Sequence, residues 1–406
     1  MNLLFLTPQL PHPPRQGTAI RNWGLIKSLS ARHTITLLTF ANHPPEGLEP
    51  SGGSHITPEL HAACQHIETV LPPRRTLANR LRDLFFSSLP DLAHRLASPA
   101  FNARLEALLQ SQTFDVLFVE GLELAPFLLF TDHSSITIFD AHNCETLLQR
   151  RAFQTDLRDP RRWPAALYSL LQARRLARFE AEICRRAHHV TCVSPEDAAA
   201  LRALVPTLNP HVIPNGIFLS DYTLNPLTPA RPYTLVFTGK MDYRPNIDAV
   251  SWFANSVFPL IRRQIPDVEF VIVGQKPTKA VWELKNIQGI VITGAVEDAR
   301  PYIGGATVYV APLRMGGGTR FKLLEAMSLR RAIVSTTPGA EGFAVQNGRE
   351  LCLADTAADF AGAVVALLGD PAKRHALGEA GHAFVKQYDW EALLPGLENV
   401  ILSAKA

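Results

Sequence analysis

In the segment RMGGGTRFKLLEAMS, from Arg314 to Ser328, three glycines are followed by two cations and a carboxylate. The apolar run just before it predicts a strand, and the spacing of its own apolar residues predicts a helix. Glycines let a ligand approach the backbone closely, and the amide groups at a helix N-terminus attract phosphate. The residues expected to surround a phosphate here are Gly316, Gly317, Gly318, Thr319 and Arg320, with Lys322 adding charge.

Glu325 lies further along the same predicted helix, too far from its start to contact that phosphate. It could reach a group about one nucleoside away, and carboxylates bind ribose hydroxyls well. The segment matches neither the Walker A pattern nor G-x-G-x-x-G. The alternative is a tight turn followed by a helix with a surface glutamate.

Two further cations follow a predicted strand in FTGKMDYRPN, where Lys240 and Arg244 come just after Gly239. Cations in such a loop would neutralise a diphosphate and stabilise the charge that develops on a leaving group. The alternative is a pair of solvated loop cations.

Two residues in the first half of the chain also occupy the ends of predicted strands. Gly17 lies where a helix begins after the first strand, so its amide could face a phosphate or an acceptor. His142 follows the strand that ends at Asp140, and loops at strand ends often carry functional residues. The alternatives are a plain strand-to-helix turn and a structural histidine.

Short apolar runs alternate with amphipathic segments along the whole chain, which indicates parallel sheets covered by helices on both faces. The pattern begins again near Tyr233, after the proline-rich stretch LNPLTPARP. The sequence therefore predicts two Rossmann-like domains whose ligands bind in the cleft between them. The predicted boundaries are an N-terminal domain 1–215, a linker 216–232, a C-terminal domain 233–389, and a helix 390–406 that packs back on the first domain.

Composition narrows the classes of partner. Hydrophobic residues make up 47% of the 406 residues, and the formal net charge is +3, so no overall field favours nucleic acid. The five cysteines are scattered and form no C-x-x-C, which indicates a reducing compartment and no structural zinc site. No apolar run is typical of a signal peptide or a transmembrane helix. We expect a cytoplasmic protein.

The segment 150–186 is strongly basic, with ten arginines against four acidic residues. Aromatic and leucine side chains from Trp163 to Leu171 lie between two pairs of arginines, at 161–162 and 174–175. One interpretation is a helix that contacts anionic lipid at the inner face of the cell membrane, where a lipid-linked acceptor would be located. The alternative is an ordinary solvated helix.

Four segments resemble, in the same order, the large family of retaining glycosyltransferases with the GT-B fold, family four of the sugar-transferase classification. They are VIPNGI, FTGKMDYRPNIDAVSWF, VIVG followed by ITGAVED, and GGGTRFKLLEAMSLRRAIVSTTPGAEGF. The resemblance covers nearly the whole chain and is strongest from 212 to 345. Within the family, the chain is most similar to bacterial sugar transferases of exopolysaccharide or envelope-glycan gene sets.

The resemblance implies GT-B architecture, with two Rossmann-like domains facing across a cleft. It implies a retaining hexosyltransferase that moves a sugar from a nucleotide-diphosphate sugar to a glycan or lipid-linked acceptor. The donor would bind mainly the second domain, without a metal or any other cofactor, and the absence of a D-x-D pattern agrees with this. Neither the base, the donor sugar nor the acceptor follows from the sequence.

The resemblance also assigns roles to individual residues. Glu325 matches the second of the family's two glutamates, which binds the ribose, whereas the first falls on Gly317. Lys240 matches a family arginine on the diphosphate. The partner lysine falls near Pro245, so Arg244 is expected to replace it. His142 would face the donor sugar and Gly17 matches one of a pair of glycines, while the base would contact the loops of Gly274, Gln275 and Val296.

Two other functions stay open. One is a nucleotide-sugar epimerase of the GT-B fold, although the segment GGGTRFKLLEAM argues against that class. The other is a non-catalytic protein that binds a nucleotide-sugar, because Gly317 replaces the first glutamate of the family.

Overall fold

The chain forms two units, each built on its own parallel sheet. The first unit comprises Met1–Asn215 and Leu393–Ala406, and the second comprises Gly216–Ala392. The computed structural model describes residues 1–14, 17–41, 56–130, 135–157, 159–223, 232–315 and 320–403. The glycine run 316–319 lies outside the described residues, so the roles of Gly316, Gly317, Gly318 and Thr319 stay predictions.

The first unit contains, among its described residues, a sheet of seven parallel strands in the order β3-β2-β1-β4-β5-β6-β7. Its centre is apolar on both faces, and Phe5 of the first strand stacks on Phe118 of the fourth at 4.7 Å between ring centroids. The strands are β1 (Asn2–Thr7), β2 (Thr34–Phe40), β3 (His66–Val70), β4 (Val116–Glu120), β5 (Ile136–Ala141), β6 (His189–Cys192) and β7 (His211–Val212).

Helices connect these strands. Ser194 caps one of them as the sequence indicates, since the amide of Asp197 donates to Ser194 Oγ at 3.1 Å. The helices are α1 (Gly17–Ser30), α2 (Pro58–Ala63), α3 (Leu77–Phe86), α4 (Asp91–His94), α5 (Pro99–Ser111), α6 (Pro126–Phe130), α7 (Glu145–Leu157), α8 (Trp163–Arg186) and α9 (Pro195–Leu204).

The second unit contains, in the part of it that the structure describes, six parallel strands in the order β10-β9-β8-β11-β12-β13. This is the strand order of a dinucleotide-binding sheet, whose ligands bind beyond the carboxyl ends of the strands where the order reverses. Here that point lies between β8 and β11. The strands are β8 (Thr234–Thr238), β9 (Glu269–Val273), β10 (Ile290–Gly294), β11 (Val308–Ala311), β12 (Ile333–Ser335) and β13 (Cys352–Leu353).

The helices of the second unit follow the predicted amphipathic segments, with one difference. The predicted helix over 246–265 contains a π-helical turn at Phe253–Val257, just before Pro259. Proline has no amide hydrogen for the carbonyl of Asn255, which explains the irregular turn there. The helices are α10 (Arg244–Trp252), α11 (Phe258–Arg262), α12 (Lys279–Glu283), α13 (Arg300–Gly304), α14 (Phe321–Ser328), α15 (Ala357–Gly369), α16 (Pro371–Val385) and α17 (Trp390–Ser403).

Two chain segments near the boundaries between the units can be assigned to one unit each. The start of the predicted linker belongs to the second unit, where the amide of Ile217 donates to the Tyr388 carbonyl at 2.9 Å. Most of α17 belongs to the first unit, where Glu398 accepts from Arg32 at 2.6 Å.

The predicted fold class is confirmed, because both units are Rossmann-like parallel sheets covered by helices. Within the described residues, no helix is long and apolar enough to cross a membrane. All five cysteines are buried and free. The sheet order brings the ends of β8 and β9 together in one unit, and those of β4 and β5 in the other.

Candidate active site

The loops that follow β8 and β9 touch through their backbones. A Cβ atom on Gly274 would lie 1.6 Å from the carbonyl oxygen of Gly239, so the approach requires glycine. The amide of Met241 donates to the Gln275 carbonyl at 2.9 Å. The loop predicted to bind the base therefore lies against the loop that carries Lys240.

The two cations predicted for the diphosphate differ in their surroundings. Lys240 is partly exposed, and its Nζ lies 3.5 Å from an oxygen of Asp242 in a loose ion pair. Arg244 is exposed and forms the first residue of α10. Both residues lie near the carboxyl end of β8, as the sequence predicts, and their roles stay predictions.

A third cation, Lys322, lies at the same strand end. Its Nζ donates to Asn246 Oδ1 at 2.9 Å and sits 4.0 Å from the centroid of the Phe237 ring. Burial and, to a smaller extent, the charge of Arg320 lower the pKa of Lys322 to about 7, although Glu325 opposes both. The amine therefore lies in a poorly solvated position at the carboxyl end of β8.

Glu325 is partly buried on α14 and accepts a hydrogen bond of 3.1 Å from the hydroxyl of Tyr222. Tyr222 ends a short 3₁₀ turn, and Arg300 fixes this turn by donating to the Asp221 carbonyl at 2.6 Å. Burial raises the pKa of Glu325, and the hydrogen bond from Tyr222 opposes that rise. The carboxylate predicted to bind a ribose is thus held in one orientation.

The two remaining predicted residues of this unit flank α14. Arg320 is buried just before the helix, where its Nη2 donates to the Pro338 carbonyl at 3.4 Å. Val296 is partly buried and packs against the apolar cluster that contains Leu323 and Leu324. The described residues of this unit that were predicted for the base, the ribose and the diphosphate therefore lie around α14 and the ends of β8 to β10.

In the first unit, a buried ion pair ties α1 to the end of β5. Arg21 donates from Nε and Nη2 to the two carboxylate oxygens of Asp140, both at 2.6 Å. Its Nη1 donates to the Ile213 carbonyl at 3.0 Å, and the hydroxyl of Thr191 also donates to Asp140 at 2.5 Å. A bidentate pair of this kind fixes the position of α1 on the sheet.

A second buried carboxyl group, that of Glu120 at the end of β4, lies beside this pair. Its Oε2 is 3.0 Å from His142 Nε2, and the Asn22 amide, oriented with its nitrogen toward acceptors, donates to the same oxygen at 2.9 Å. Its Oε1 is buried with no hydrogen-bond partner among the residues that the structure describes.

The protonation states of this group follow from its burial and charges. Burial and the neighbouring charge of Asp140 raise the pKa of Glu120 well above its usual value. Burial would also raise the pKa of Asp140, but the charge and hydrogen bonds of Arg21 outweigh it and hold that pKa far below its usual value. Burial lowers the pKa of His142 to about 4. At neutral pH, His142 is neutral and Asp140 is ionised.

His142 is therefore a neutral imidazole whose Nε2 is engaged. Its Nδ1 lies beside Gly121, 3.9 Å from where a Cβ atom of that residue would be. No hydrogen bond to Nδ1 occurs among the described residues. Nδ1 is thus the nitrogen that a substrate could use. Gly17 is exposed at the start of α1, the helix that Arg21 ties to the end of β5.

Glu120, Asp140 and His142 carry ligand atoms within 4.8 Å of one another, a spacing that a metal could use. The guanidinium of Arg21 already occupies both oxygens of Asp140, so positive charge is supplied there by the protein. The absence of a metal in the reaction stays a prediction.

Several side-chain contacts that position the predicted site residues were not predicted from the sequence. Tyr222 is separated from Glu325 by about a hundred positions, and Arg21 is as far from Asp140. One signal was available for the first unit: Glu120 and Asp140 each end a predicted buried strand. Two carboxyl groups at the ends of neighbouring buried strands require a buried cation nearby.

Two family descriptions match the chain. Residues 16–216 match "Glycosyl transferase 4-like domain", and residues 232–370 match "Glycosyl transferases group 1". Each match covers most of one of the two units.

Two curated relatives match parts of the chain. The phosphatidyl-myo-inositol mannosyltransferase of Propionibacterium freudenreichii is 27% identical over 203 residues, which are 46% of this chain and 49% of the relative. An uncharacterized 44.6 kDa protein in the cps region of Klebsiella pneumoniae is 26% identical over 135 residues, which are 31% of this chain and 35% of the relative. The match thus spans a third to a half of these relatives.

Among solved structures, Anabaena HepE in complex with UDP and glucose is similar over 99% of this chain and all of its own. Its TM-score is 0.68 at 13% sequence identity, so the likeness is one of fold. With the two family matches, this shared fold shows that the chain belongs to the GT-B glycosyltransferases of the family-four type.

Proposed function

We propose that this protein is a retaining glycosyltransferase that takes its sugar from a nucleotide-diphosphate sugar. One observation carries the proposal most: the fixed carboxylate of Glu325 and the cations around the end of β8 lie in one Rossmann-like unit. These are the groups that a ribose and a diphosphate require. Membership of a glycosyltransferase family supports the same activity.

The donor would bind the second unit. Its base would contact the backbone of Gly274 and Gln275 and the side chain of Val296, and its ribose would bind Glu325. Its diphosphate would bind Lys240, a second cation and the segment 316–320. HepE was solved with UDP, which favours uridine as the first base to test.

The chemistry would need no general-base carboxylate. As the bond to the sugar breaks, negative charge builds up on the diphosphate, and the cations at the end of β8 would stabilise it most in the transition state. The acceptor would attack the anomeric carbon of the sugar from the same face as that from which the diphosphate leaves. The departing phosphate would take the acceptor's proton. Protein cations would replace a metal, so EDTA should leave transfer intact.

The acceptor would be a glycan or a lipid-linked glycan that approaches the first unit near Gly17 and His142. The relatives favour this class, since one is a phosphatidyl-myo-inositol mannosyltransferase and the other is encoded in a cps region. The proposed role is therefore in exopolysaccharide or envelope-glycan synthesis at the inner face of the membrane.

Contact with anionic lipid through the segment 150–186 is part of this proposal. On α8, the side chains of Trp163, Leu167, Tyr168 and Leu171 are exposed, with exposed fractions from 38% to 69%. Exposed arginines, Arg161, Arg162 and Arg174, flank them along the chain, a combination typical of surfaces that bind anionic bilayers.

A nucleotide screen by thermal shift tests the proposal, because a ligand that binds only the folded state raises its melting temperature. UDP- and GDP-sugars should stabilise the wild-type chain, and the shift should shrink in Glu325→Ala. If no nucleotide-sugar raises the melting temperature, the proposal fails. Stabilisation without turnover would instead favour a non-catalytic binding protein, and conversion of the sugar into its epimer would favour an epimerase.

A further inference from the structure

The position of Lys322 differs from that of an ordinary surface lysine. It is the second residue of α14, and its Nζ would lie only 3.1 Å from a Cβ atom placed on Gly239. The amine thus lies directly beside the backbone at the carboxyl end of β8. This is the point where a sheet of this order binds its ligand.

The partner of Lys322 is held in place by the loop that carries Lys240. The Asn246 side chain is buried, and its Nδ2 donates to the Lys240 carbonyl at 2.9 Å. Because that nitrogen is engaged, Oδ1 is the atom left to accept from Lys322. One amide therefore links the ammonium of Lys322 on α14 to the backbone of Lys240 after β8.

The charge of Lys322 has no direct counter-ion in the part of the chain that the structure describes. Among the described residues, no carboxylate oxygen lies within 4 Å of its Nζ, and its contacts from α10 and β8 are the neutral Asn246 and Phe237. The charged groups that act on it are Arg320 and Glu325, both from its own helix region. A poorly solvated ammonium in this situation is costly unless an anion binds beside it.

The surroundings of Arg244 differ from those of Lys322. It is exposed at the start of α10, whereas Lys322 is enclosed at the strand end. The residue after it, Pro245, is buried and occupies the position where a second cation was expected. Geometry therefore favours a cation that reaches the same place from α14.

We propose that Lys322, rather than Arg244, is the second cation that binds the diphosphate of the donor beside Lys240. This inference rests on the proposed function and names the residue that completes its diphosphate site. Lys322 forms no covalent bond in this role: its ammonium binds the diphosphate in the ground state and the leaving diphosphate in the transition state.

The inference predicts a coupling between binding and protonation. With a pKa of about 7 in the free protein, Lys322 loses its proton as pH rises above that value. A bound diphosphate stabilises the ammonium, so binding takes up a proton, and UDP affinity should fall by about tenfold per pH unit above pH 7. The terminal phosphate of UDP is already largely ionised there, since such groups titrate near pH 6.

Isothermal titration calorimetry with UDP, and with GDP in parallel, measures this directly. Titrations at about pH 8 in two buffers of different ionisation enthalpy give the number of protons taken up. Wild type should take up most of one proton. Lys322→Arg should bind UDP with no proton uptake, and Lys322→Met should bind at least tenfold more weakly, also without uptake. Lys285→Met, at an exposed lysine of the same unit, should match wild type.

The outcomes separate the inference from the function on which it rests. If wild type binds UDP or GDP without proton uptake, or if Arg244→Met weakens binding more than Lys322→Met does, the inference is wrong and the proposed function stands. If neither nucleotide binds wild type, both are wrong. Circular dichroism and melting temperature of each variant show that it is folded, and the charge-preserving Lys322→Arg keeps the test valid if Lys322→Met does not fold.

Discussion

The Nε2 atom of His142 lies 3.0 Å from Oε2 of Glu120, a carboxyl group with no exposed surface. This contact joins the ends of two neighbouring strands, because Glu120 ends β4 and His142 follows β5. Burial keeps the imidazole neutral, and the contact with Glu120 engages Nε2 and leaves Nδ1 available. His142 is therefore prepared to form a hydrogen bond with a substrate as a neutral group.

The first prediction concerns the titration of His142. Burial lowers its pKa to about 4, so in the folded protein it should stay neutral through the range where an unfolded histidine titrates, near pH 6.5. Between these values the unfolded state binds the extra proton, so stability from this group is lost as pH falls from about 6.5 towards 4.

Nitrogen-proton correlation spectra of the histidine side chains measure this titration, and His142→Asn identifies the signal. The His142 signals should remain those of a neutral imidazole at pH 5.5 and begin to move only near pH 4.5. A His142 that gains its proton near pH 6.5 in the folded chain would contradict the buried network.

The second prediction is that Asp140→Asn strongly destabilises the first unit. The substitution leaves the guanidinium of Arg21 buried without its charge partner, which typically costs about 3–5 kcal/mol. Urea unfolding gives the change in free energy. Glu182→Gln is the matched control, because it breaks the exposed pair with Arg186 and should cost less than about 1 kcal/mol. Equal losses in the two variants would show that the Arg21 pair does not anchor α1.

The third prediction concerns Glu325. Removing a charge-assisted hydrogen bond to the ribose should weaken nucleotide binding by about 1.5–3 kcal/mol, roughly ten- to 150-fold, in Glu325→Ala. Tyr222→Phe keeps the carboxylate and removes only its positioning hydroxyl, so its effect on binding should be smaller. Calorimetry with UDP measures both. A folded Glu325→Ala with wild-type affinity would place the ribose elsewhere.

Local sequence patterns were sufficient to predict most strands of the two sheets. Runs such as NLLFLT and YTLVFTG have an uninterrupted apolar centre because both faces of a central parallel strand are buried. The strand HIETV was not predicted, because it lies at the edge of the first sheet, is only partly buried, and carries alternating polar residues. Edge strands lack the continuous apolar run on which the prediction depended.

The site was predictable in part for the same reason. Strand ends could be located, so Lys240, His142 and the base-binding loops were named from sequence, whereas their partners depend on tertiary packing. Nothing in the sequence indicates that Asn246 contacts Lys322 or that Tyr222 contacts Glu325. The second cation was sought next to Pro245 in sequence, although a helix far along the chain brings Lys322 to that place.

The central claim, retaining sugar transfer, is tested most directly by proton NMR of the anomeric signals during reaction of UDP- and GDP-sugars with a lipid-linked glycan acceptor. We predict consumption of one donor, release of its nucleoside diphosphate, and a product with the donor's anomeric configuration. Lys240→Met should lower kcat by about 10²–10³. A product of inverted configuration, an epimerised sugar, or no donor consumption with any acceptor would contradict the account.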